Sequence, residues 1–214
     1  YEHVDPSAVG NQTRFLLGDL SGRASVELKA KQLGIKLEDQ QMVQIVDEMK
    51  RLEHEGYHFE VADASLELMM RRAAGEHFDY FEVESFRVLV ERGPNREFDT
   101  EATLRIVVDG NRIVTVGEGD GPVNALDNAF RNAVLDIYPE LSEVRLTDYK
   151  VRVLDTNRGT GAVTRVLVDS SDAESTWTTI GVSENIIEAS WLALCDALIY
   201  ALHRNRVDVD GSLN

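Results

Sequence analysis

Residues 103–122 have the sequence TLRIVVDGNRIVTVGEGDGP, and this stretch decides the fold of the second half of the chain. Two β-rich runs, Thr103 to Val108 and Arg112 to Val116, flank Asp109-Gly110, which is the strongest short signal for a β-hairpin. A glycine-rich turn follows, and apolar residues then recur at helical spacing from about Val123 to Tyr138, ahead of Pro139. The stretch therefore predicts two strands, a tight loop and a helix.

A further strand precedes this hairpin, and the whole order of elements then recurs. Phe86, Val88 and Val90 follow the period of two that a half-buried strand shows. The same stripe returns over 149–153, followed by β-rich runs over 162–168 and 176–180 and a helix over about 186–203. The two helices align at an offset of 64 residues, which places Ala125, Ala129 and Ala133 on Ala189, Ala193 and Ala197. A repeat of this length predicts two βββα units.

The first third of the chain has a helical apolar period. Val26, Leu28 and Leu33 indicate a short helix that ends at Gly34, and a longer one follows over about 42–52. A third helix is predicted to be capped by Asp63 or Ser65 and to end near Gly75. We therefore expect an α+β chain in three parts: N-terminal helical linker subdomains over 1–77, a βββα-βββα regulatory domain over 78–206 and a disordered tail over 207–214.

Composition excludes several classes of partner. The formal net charge of −16 argues against nucleic acid and against an anionic membrane surface, because both need clustered Lys and Arg. No apolar run approaches the roughly 18 to 20 residues of a membrane span. The single Cys195 leaves no intrachain disulfide and suits a reducing cytoplasm. Because the sequence opens at Tyr1 inside an ordered motif, we expect it to be part of a longer protein.

Several motifs carry a family resemblance. The pattern Tyr1-Glu2-His3-Val4-Asp5-Pro6, then Val9-Gly10-Asn11, then Asp19-Leu20-Ser21-Gly22-Arg23, resembles the segment after the catalytic barrel of α-isopropylmalate synthases and citramalate synthases. His54-Glu55-Gly56-Tyr57 with Ala62-Asp63-Ala64-Ser65 is closer to the citramalate synthase branch. The paired βββα units, with the run 185–190, resemble that family's regulatory domain. The resemblance covers nearly the whole chain.

The resemblance implies a non-catalytic, dimerising region that senses an end-product amino acid. The family's metal-binding His-x-His is absent from these residues, and a (β/α)₈ barrel needs about 200 residues and eight βα alternations. We therefore expect no catalysis and no cofactor in this chain, and a divalent metal in a barrel outside it. The expected partners are a second copy and isoleucine, as feedback inhibitor of a condensation of acetyl-CoA with pyruvate. Leucine as effector, and a structural dimerisation module that binds nothing, are the alternatives.

The glycine-rich helix starts are the first candidates for the effector site. A helix N-terminus presents unpaired N–H groups and about half a positive charge, which suit a carboxylate. Gly121 lets backbone approach a ligand, and Asp120 suits its ammonium group. Glu118 and Asp120 would repel a nucleotide phosphate, and the glycine spacing is not that of a dinucleotide-binding loop. The alternative is a plain strand-to-helix turn.

Other site residues follow from the resemblance, by position. The family's effector lies at the dimer interface between the two units, which implies an apolar pocket and a second helix start. The apolar residues are Leu146, Tyr149, Val153 and Val163, and the helix start contributes Gly181, Val182, Ser183 and Asn185. Ordinary core packing is the alternative for the apolar four. The resemblance also places His3 and Asn11 beside the partner's active site, where His3 would assist proton transfer; the alternative is a surface histidine.

One motif points to a different class of protein. His54-Glu55-Gly56-Tyr57-His58 is a literal H-E-x-x-H, which on a continuous helix would place two imidazoles on one face for zinc. Gly56 weakens such a helix by about 1 kcal/mol. A zinc hydrolase is therefore the weaker alternative, and no metal site is expected in this chain.

Overall fold

The computed structural model describes residues 22–93, 98–154, 159 and 161–211, with side chains up to 206. Three linker helices come first, followed by two units of three strands and a helix. The linker helices are α1 (Arg23–Gln32), α2 (Asp39–Glu55) and α3 (Asp63–Ala73). The first unit is β1 (Glu82–Arg92), β2 (Phe98–Val108), β3 (Asn111–Gly119) and α4 (Pro122–Val134). The second unit is β4 (Arg145–Val153), β5 (Thr164–Ser171), β6 (Thr176–Ser183) and α5 (Ile186–Gly211).

Each unit contains its own antiparallel sheet, with strand orders β1-β2-β3 and β4-β5-β6. Asp109 and Gly110 both have positive φ, 48° and 73°, as the predicted tight hairpin between β2 and β3 requires. The α+β class, the helical first part and the two βββα units are thereby confirmed.

The internal repeat extends to single contacts. Gly117 in β3 and Gly181 in β6 are 64 residues apart, and each lies against the helix of its own unit. A Cβ on Gly117 would come within 2.2 Å of the nitrogen of Ala129, and one on Gly181 within 2.0 Å of the oxygen of Ala189. The hydroxyl groups of Thr115 and Thr179, again 64 apart, donate to the carbonyls of Ala129 (3.0 Å) and Ala193 (2.7 Å). The predicted alanine stripes therefore let both helices lie close to their sheets.

The core joins the two units through their helices. Phe130 of α4 and Trp191 of α5 have ring centroids 6.2 Å apart, and both side chains are buried. By length and composition α5 would pass as a membrane span over Ile186–Arg206. Its buried residues, however, pack into the protein core: Ala189, Ala193, Leu194, Ala197, Leu198, Ala201 and Leu202. We therefore describe α5 as a core helix.

The linker helices cover the outer face of the second sheet. Ile180 of β6 packs into one apolar core with Met49 of α2 and Met70 of α3, and it is 1% exposed. Val116, the equivalent of Ile180 in the first unit, is 47% exposed. The two units are therefore alike in fold and unlike in surroundings.

Asp63 and Ser65 do not cap α3 as predicted. The helix begins at Asp63, and its N-terminal flanking residue is Ala62, which makes no capping side-chain bond. The carboxylate of Asp63 instead accepts from the backbone N–H of Thr178 (3.1 Å), and the hydroxyl of Ser65 accepts from that of Ile180 (3.1 Å). Because β6 is an edge strand, these N–H groups have no strand partner on that side and bind the two side chains.

Two helix ends also differ from prediction. Helix α4 ends at Val134 rather than near Tyr138, and the helical region is disfavoured for Tyr138 itself because it precedes Pro139. Tyr138 has φ −124° and ψ 70°, and its hydroxyl donates to the carbonyl of Tyr80 (2.9 Å). Helix α5 continues past His203 to Gly211, since no glycine or proline lies between. The backbone of 207–211 is therefore helical, where a disordered tail was predicted.

Candidate ligand-binding site

A cavity of about 540 Å³ lies between α4 and β4, where the first unit leads into the second. We call it the α4/β4 cavity. Its α4 wall consists of Val123, Asn124, Asp127 and Arg131. The opposite wall includes Val144, Leu146 and Tyr149. Two of the predicted effector residues, Leu146 and Tyr149, therefore line one cavity with the first turns of α4.

Tyr149 is held in place by the second unit. Its hydroxyl lies 2.6 Å from the hydroxyl of Ser190, which donates to the carbonyl of Ile186 one turn back in α5. Tyr149 faces Val168 across the sheet on the side that α5 covers, because β4 alternates its side chains between two faces. This wall of the cavity is therefore linked to α5 by a hydrogen bond.

Arg131 stabilises the α4 wall of the cavity. Its Nε donates to Oδ2 of Asp127 at 2.9 Å, and its two Nη atoms donate to the carbonyls of Leu141 (2.9 Å) and Val144 (3.0 Å). Through these three bonds Arg131 connects α4 to the segment that leads into β4. Its positive charge faces a carboxylate already.

Asp127 has unused acceptor capacity. Its Oδ2 accepts from Arg131, whereas its Oδ1 is buried and has no hydrogen-bond partner in the described part of the chain. A buried acceptor without a partner costs about 1–3 kcal/mol. Because Oδ1 has almost no accessible surface, a ligand donor reaches it only if the side chain of Asp127 shifts.

The start of α4 is open. Gly121 stands at the helix N-terminus, no side chain caps the first turn, and Pro122 follows. Asp120 is exposed, and its backbone N–H donates to the side-chain oxygen of Asn124 (3.1 Å). Gly121 thus adjoins the cavity through Val123 and Asn124, whereas the carboxylate of Asp120 is outside its lining.

The start of α5 is closed by its own residues. Asn185 accepts through Oδ1 from the N–H groups of Ile187 (2.9 Å) and Glu188 (3.4 Å), and it donates its own N–H to the hydroxyl of Ser183 (3.1 Å). Gly181 is buried against α5. Val182 faces the linker helices, since a Cβ built on Gly56, at the end of α2, would lie 3.4 Å from its side chain. None of Gly181, Val182, Ser183 and Asn185 lines the α4/β4 cavity.

The remaining predicted residues lie elsewhere. Val153 is 48% exposed, and it pairs with Thr164 in the register of β4 and β5. Val163 accepts through its carbonyl from the N–H of Leu154 (2.9 Å), beyond the end of β4. Neither lines the α4/β4 cavity. His3 and Asn11 lie outside the described residues.

The H-E-x-x-H motif does not form one helical face. Helix α2 ends at Glu55, Gly56 follows with φ 114°, and His58 lies in the next turn, 3.4 Å from Glu60. The zinc-hydrolase alternative therefore lacks the helix that it needs. Within residues 22–93, 98–154, 159 and 161–211, no three or more His, Cys, Asp or Glu side chains are grouped to hold a metal ion.

Sequence reasoning missed Asn124, Asp127 and Arg131. A signal was present, since Val123, Asp127 and Arg131 are four residues apart and share one face of α4. The alanine stripe that packs on the sheet lies on nearly the opposite side of α4. Only the fold shows that β4 lies opposite the face of Val123, Asp127 and Arg131.

Comparison with known proteins agrees with this architecture. Residues 60–202 match the family model of the LeuA allosteric (dimerisation) domain, and residues 1–57 match that of the homocitrate synthase post-HMGL domain-like family. Over 95% of its length the chain is 50% identical to an (R)-citramalate synthase of Streptomyces coelicolor. It is 48% identical over 99% to one of Geobacter sulfurreducens, and 38% identical over 97% to one of Sulfolobus acidocaldarius.

The chain spans only part of these relatives. It covers 39%, 40% and 38% of the three proteins, respectively. The likeness therefore extends over the described fold and says nothing of what the rest of a longer protein would contain. On the match over residues 60–202, which is more than half of its length, the chain belongs to the family of LeuA allosteric (dimerisation) domains.

Proposed function

We propose that this chain is the C-terminal regulatory and dimerisation region of a citramalate synthase, and that its α4/β4 cavity binds isoleucine. The observation that carries the proposal is the combination of an uncapped helix start and the carboxylate side chain of Asp127 at one cavity. The citramalate synthase assignment rests on relatives that are 44–50% identical over nearly the whole chain.

The cavity suits a free amino acid. The uncapped N–H groups of Val123 and Asn124 favour a carboxylate, and the helix dipole adds to this preference. The carboxylate of Asp127, which lines the cavity, favours an ammonium group. Val144, Leu146 and Tyr149 offer an apolar surface for a branched side chain. An amino acid zwitterion with an apolar side chain supplies the carboxylate, the ammonium group and the apolar body in one small molecule.

The exposed apolar residues of β4 indicate where a second copy packs. Leu146, Val151 and Val153 are 40%, 41% and 48% exposed. They lie on the side of the sheet that α5 covers, at the strand farthest from the helix. An exposed apolar strip of this kind is typical of an interface. We propose that it forms the homodimer contact, which would place the cavity at the interface and bring in the residues around Val153.

Regulation would then be a shift between two arrangements of the dimer. Isoleucine would favour one of them, and the linker helices on β6 would pass that preference to a barrel outside this chain. We expect an intact enzyme that contains both this region and the barrel, in the cytoplasm. It would condense acetyl-CoA with pyruvate at a divalent metal, and His3 and Asn11 would have accessory roles there. This region itself would bind no cofactor and not catalyse.

Two alternatives remain as proposals with their own signatures. An α-isopropylmalate synthase region would respond to leucine, whose branch point lies one carbon farther from the α-carbon. Discrimination between the two rests on pocket shape, which is worth about 1–3 kcal/mol per methylene-sized change. A structural dimerisation module would bind neither amino acid.

Calorimetric titration of the chain with isoleucine, leucine and valine, with sedimentation of the same samples, tests the proposal. We expect saturable heat with isoleucine and about tenfold or weaker binding of leucine, in a dimer. Preference for leucine supports the isopropylmalate alternative. No heat with any of the three in a folded dimer leaves the structural module.

A further inference from the structure

A second cavity, of about 550 Å³, lies where the linker helices meet the second unit. We call it the junction cavity. Its walls come from α2, α3, α5 and β6, and among the described residues it shares none of its lining with the α4/β4 cavity. Its volume is within the range of small-molecule sites, roughly 300–1,000 Å³. The amino-acid site proposed above therefore does not account for it.

Part of the wall is aromatic. Tyr57 and Phe59 both line the cavity, and their rings stack with centroids 5.6 Å apart and an angle of 22° between planes. Ile45, Met69 and Ile180 add aliphatic surface. Aromatic rings favour offset or edge contacts with another ring. The wall therefore suits a flat apolar body.

One carboxylate stands in this wall. Asp196 of α5 accepts through Oδ2 from the hydroxyl of Ser65 (2.8 Å) and through Oδ1 from Nη2 of Arg72, at a long 3.3 Å. Ser65 is itself fixed, because it accepts from the N–H of Ile180. Burial raises the pKa of Asp196, which reflects a poorly compensated negative charge. A carboxylate can accept about four hydrogen bonds, so Asp196 has capacity for a further donor.

The local charge favours a cation. Arg72 is shared with the ring of Phe78, whose centroid lies 5.5 Å from the guanidinium carbon. Glu48 lines the cavity and shares Arg51 with Glu55. Three carboxylates (Glu48, Glu55 and Asp196) therefore stand against two guanidinium groups (Arg51 and Arg72), which leaves one net negative charge.

We propose that the junction cavity is a second binding site, which takes a small primary amine with an aromatic body. The ammonium group binds Asp196, and the ring lies against Tyr57 and Phe59. Because Tyr57 and Phe59 lie between α2 and α3 and Asp196 lies in α5, the ligand contacts both the linker part and the second unit. Ligand binding is therefore linked to the relative position of the linker helices and the second unit.

The test compares two probes of the same shape and opposite charge. Phenethylamine and 3-phenylpropanoate carry the same phenylethyl body, with an ammonium group in one and a carboxylate in the other. Both are titrated into the full chain near pH 7 and followed by NMR. Asp196→Asn removes the charge, and Leu192→Trp fills the cavity from a position that is already 37% exposed. Glu84→Gln, which removes an acid at the Arg112 pair on the first sheet, is the matched control.

We expect phenethylamine to bind and 3-phenylpropanoate to bind at least about tenfold more weakly. Binding of the amine should fall about tenfold or more in Asp196→Asn, be lost in Leu192→Trp and be unchanged in Glu84→Gln. The proposal is overturned if neither probe binds, if both bind equally, or if the folded Leu192→Trp variant keeps the affinity of the parent chain. Circular dichroism of each variant establishes that it is folded.

Discussion

Gly181 lies so close to Ala189 that a Cβ on the glycine would approach the alanine carbonyl oxygen to 2.0 Å. The obstructing atom is backbone, and it belongs to the helix that carries most of the core of the second unit. Gly117 stands in the same relation to α4, with the nitrogen of Ala129 at 2.2 Å. A side chain at either position would therefore force the helix away from its sheet.

Replacing either glycine by alanine should destabilise the fold. Gly117→Ala and Gly181→Ala are expected to lower the free energy of unfolding by about 1–3 kcal/mol each, because the added methyl group meets a helix backbone. Chemical denaturation measures this. Gly161→Ala is the control, since a Cβ there meets nothing within 4 Å. Equal effects at all three positions would contradict the close helix-sheet contact.

Asn185 should stabilise α5 as its N-terminal cap. Asn185→Ala removes the acceptor of the N–H groups of Ile187 and Glu188, and we expect a loss of about 1 kcal/mol. Asn185→Gly should lower the free energy of unfolding by only about a few tenths of a kcal/mol, because glycine is tolerated at this position. Thermal denaturation of both variants distinguishes the two costs. A glycine variant as unstable as the alanine variant would argue against capping.

His203 should make stability depend on pH. Its pKa is lowered from 6.5, first by burial and then by the charge of Arg71, and its Nε2 has no hydrogen-bond partner among the described residues. The folded state therefore favours the neutral ring. Its contribution is present above pH 6.5 and is lost as the pH falls below this value, by at most about 1.4 kcal/mol per pH unit.

Urea denaturation of the parent chain and of His203→Gln at pH 7.5 and 5.5 measures this contribution. We expect the parent chain to lose more stability on acidification than the variant does. Other titrating groups, such as Asp172 with its lowered pKa, are common to both proteins and cancel in the comparison. Identical pH dependence in the two proteins would rule out His203 as the source.

The apolar strip on β4 should be the contact between copies. Val153→Arg places a charge on a residue that is 48% exposed, and it should shift the dimer toward monomer in sedimentation. Val114→Arg, at a valine that is 53% exposed on β3, should leave the dimer intact. Dissociation of the dimer by Val114→Arg, and not by Val153→Arg, would instead place the interface on the first sheet.

Much of this architecture follows from local sequence. The hairpin at Asp109-Gly110, the period of two in the strands and the alanine register 64 residues apart are properties of neighbouring residues, and they predicted both units. Asp63 was misassigned as a cap because a distant group, the N–H of Thr178, binds its side chain. Propensity contains no information about such contacts.

The lining of the α4/β4 cavity was predictable only in part. Leu146 and Tyr149 were predicted through the family resemblance, whereas Asp127 was not, because only the fold shows that its face of α4 lies opposite β4. The second helix start was expected at the same site, yet Asn185 satisfies its N–H groups and Val182 faces the linker helices. Sequence alone does not show which of two equivalent helix starts is already occupied.

Asp127 is proposed to receive the ammonium group of an amino acid, and isoleucine calorimetry on matched variants tests this role most directly. Asp127→Asn should weaken isoleucine binding about tenfold or more, because the amide replaces a charged acceptor. Asp136→Asn, on an exposed aspartate just beyond α4, should bind as the parent chain does. Unchanged isoleucine affinity in a folded Asp127→Asn variant would contradict the account.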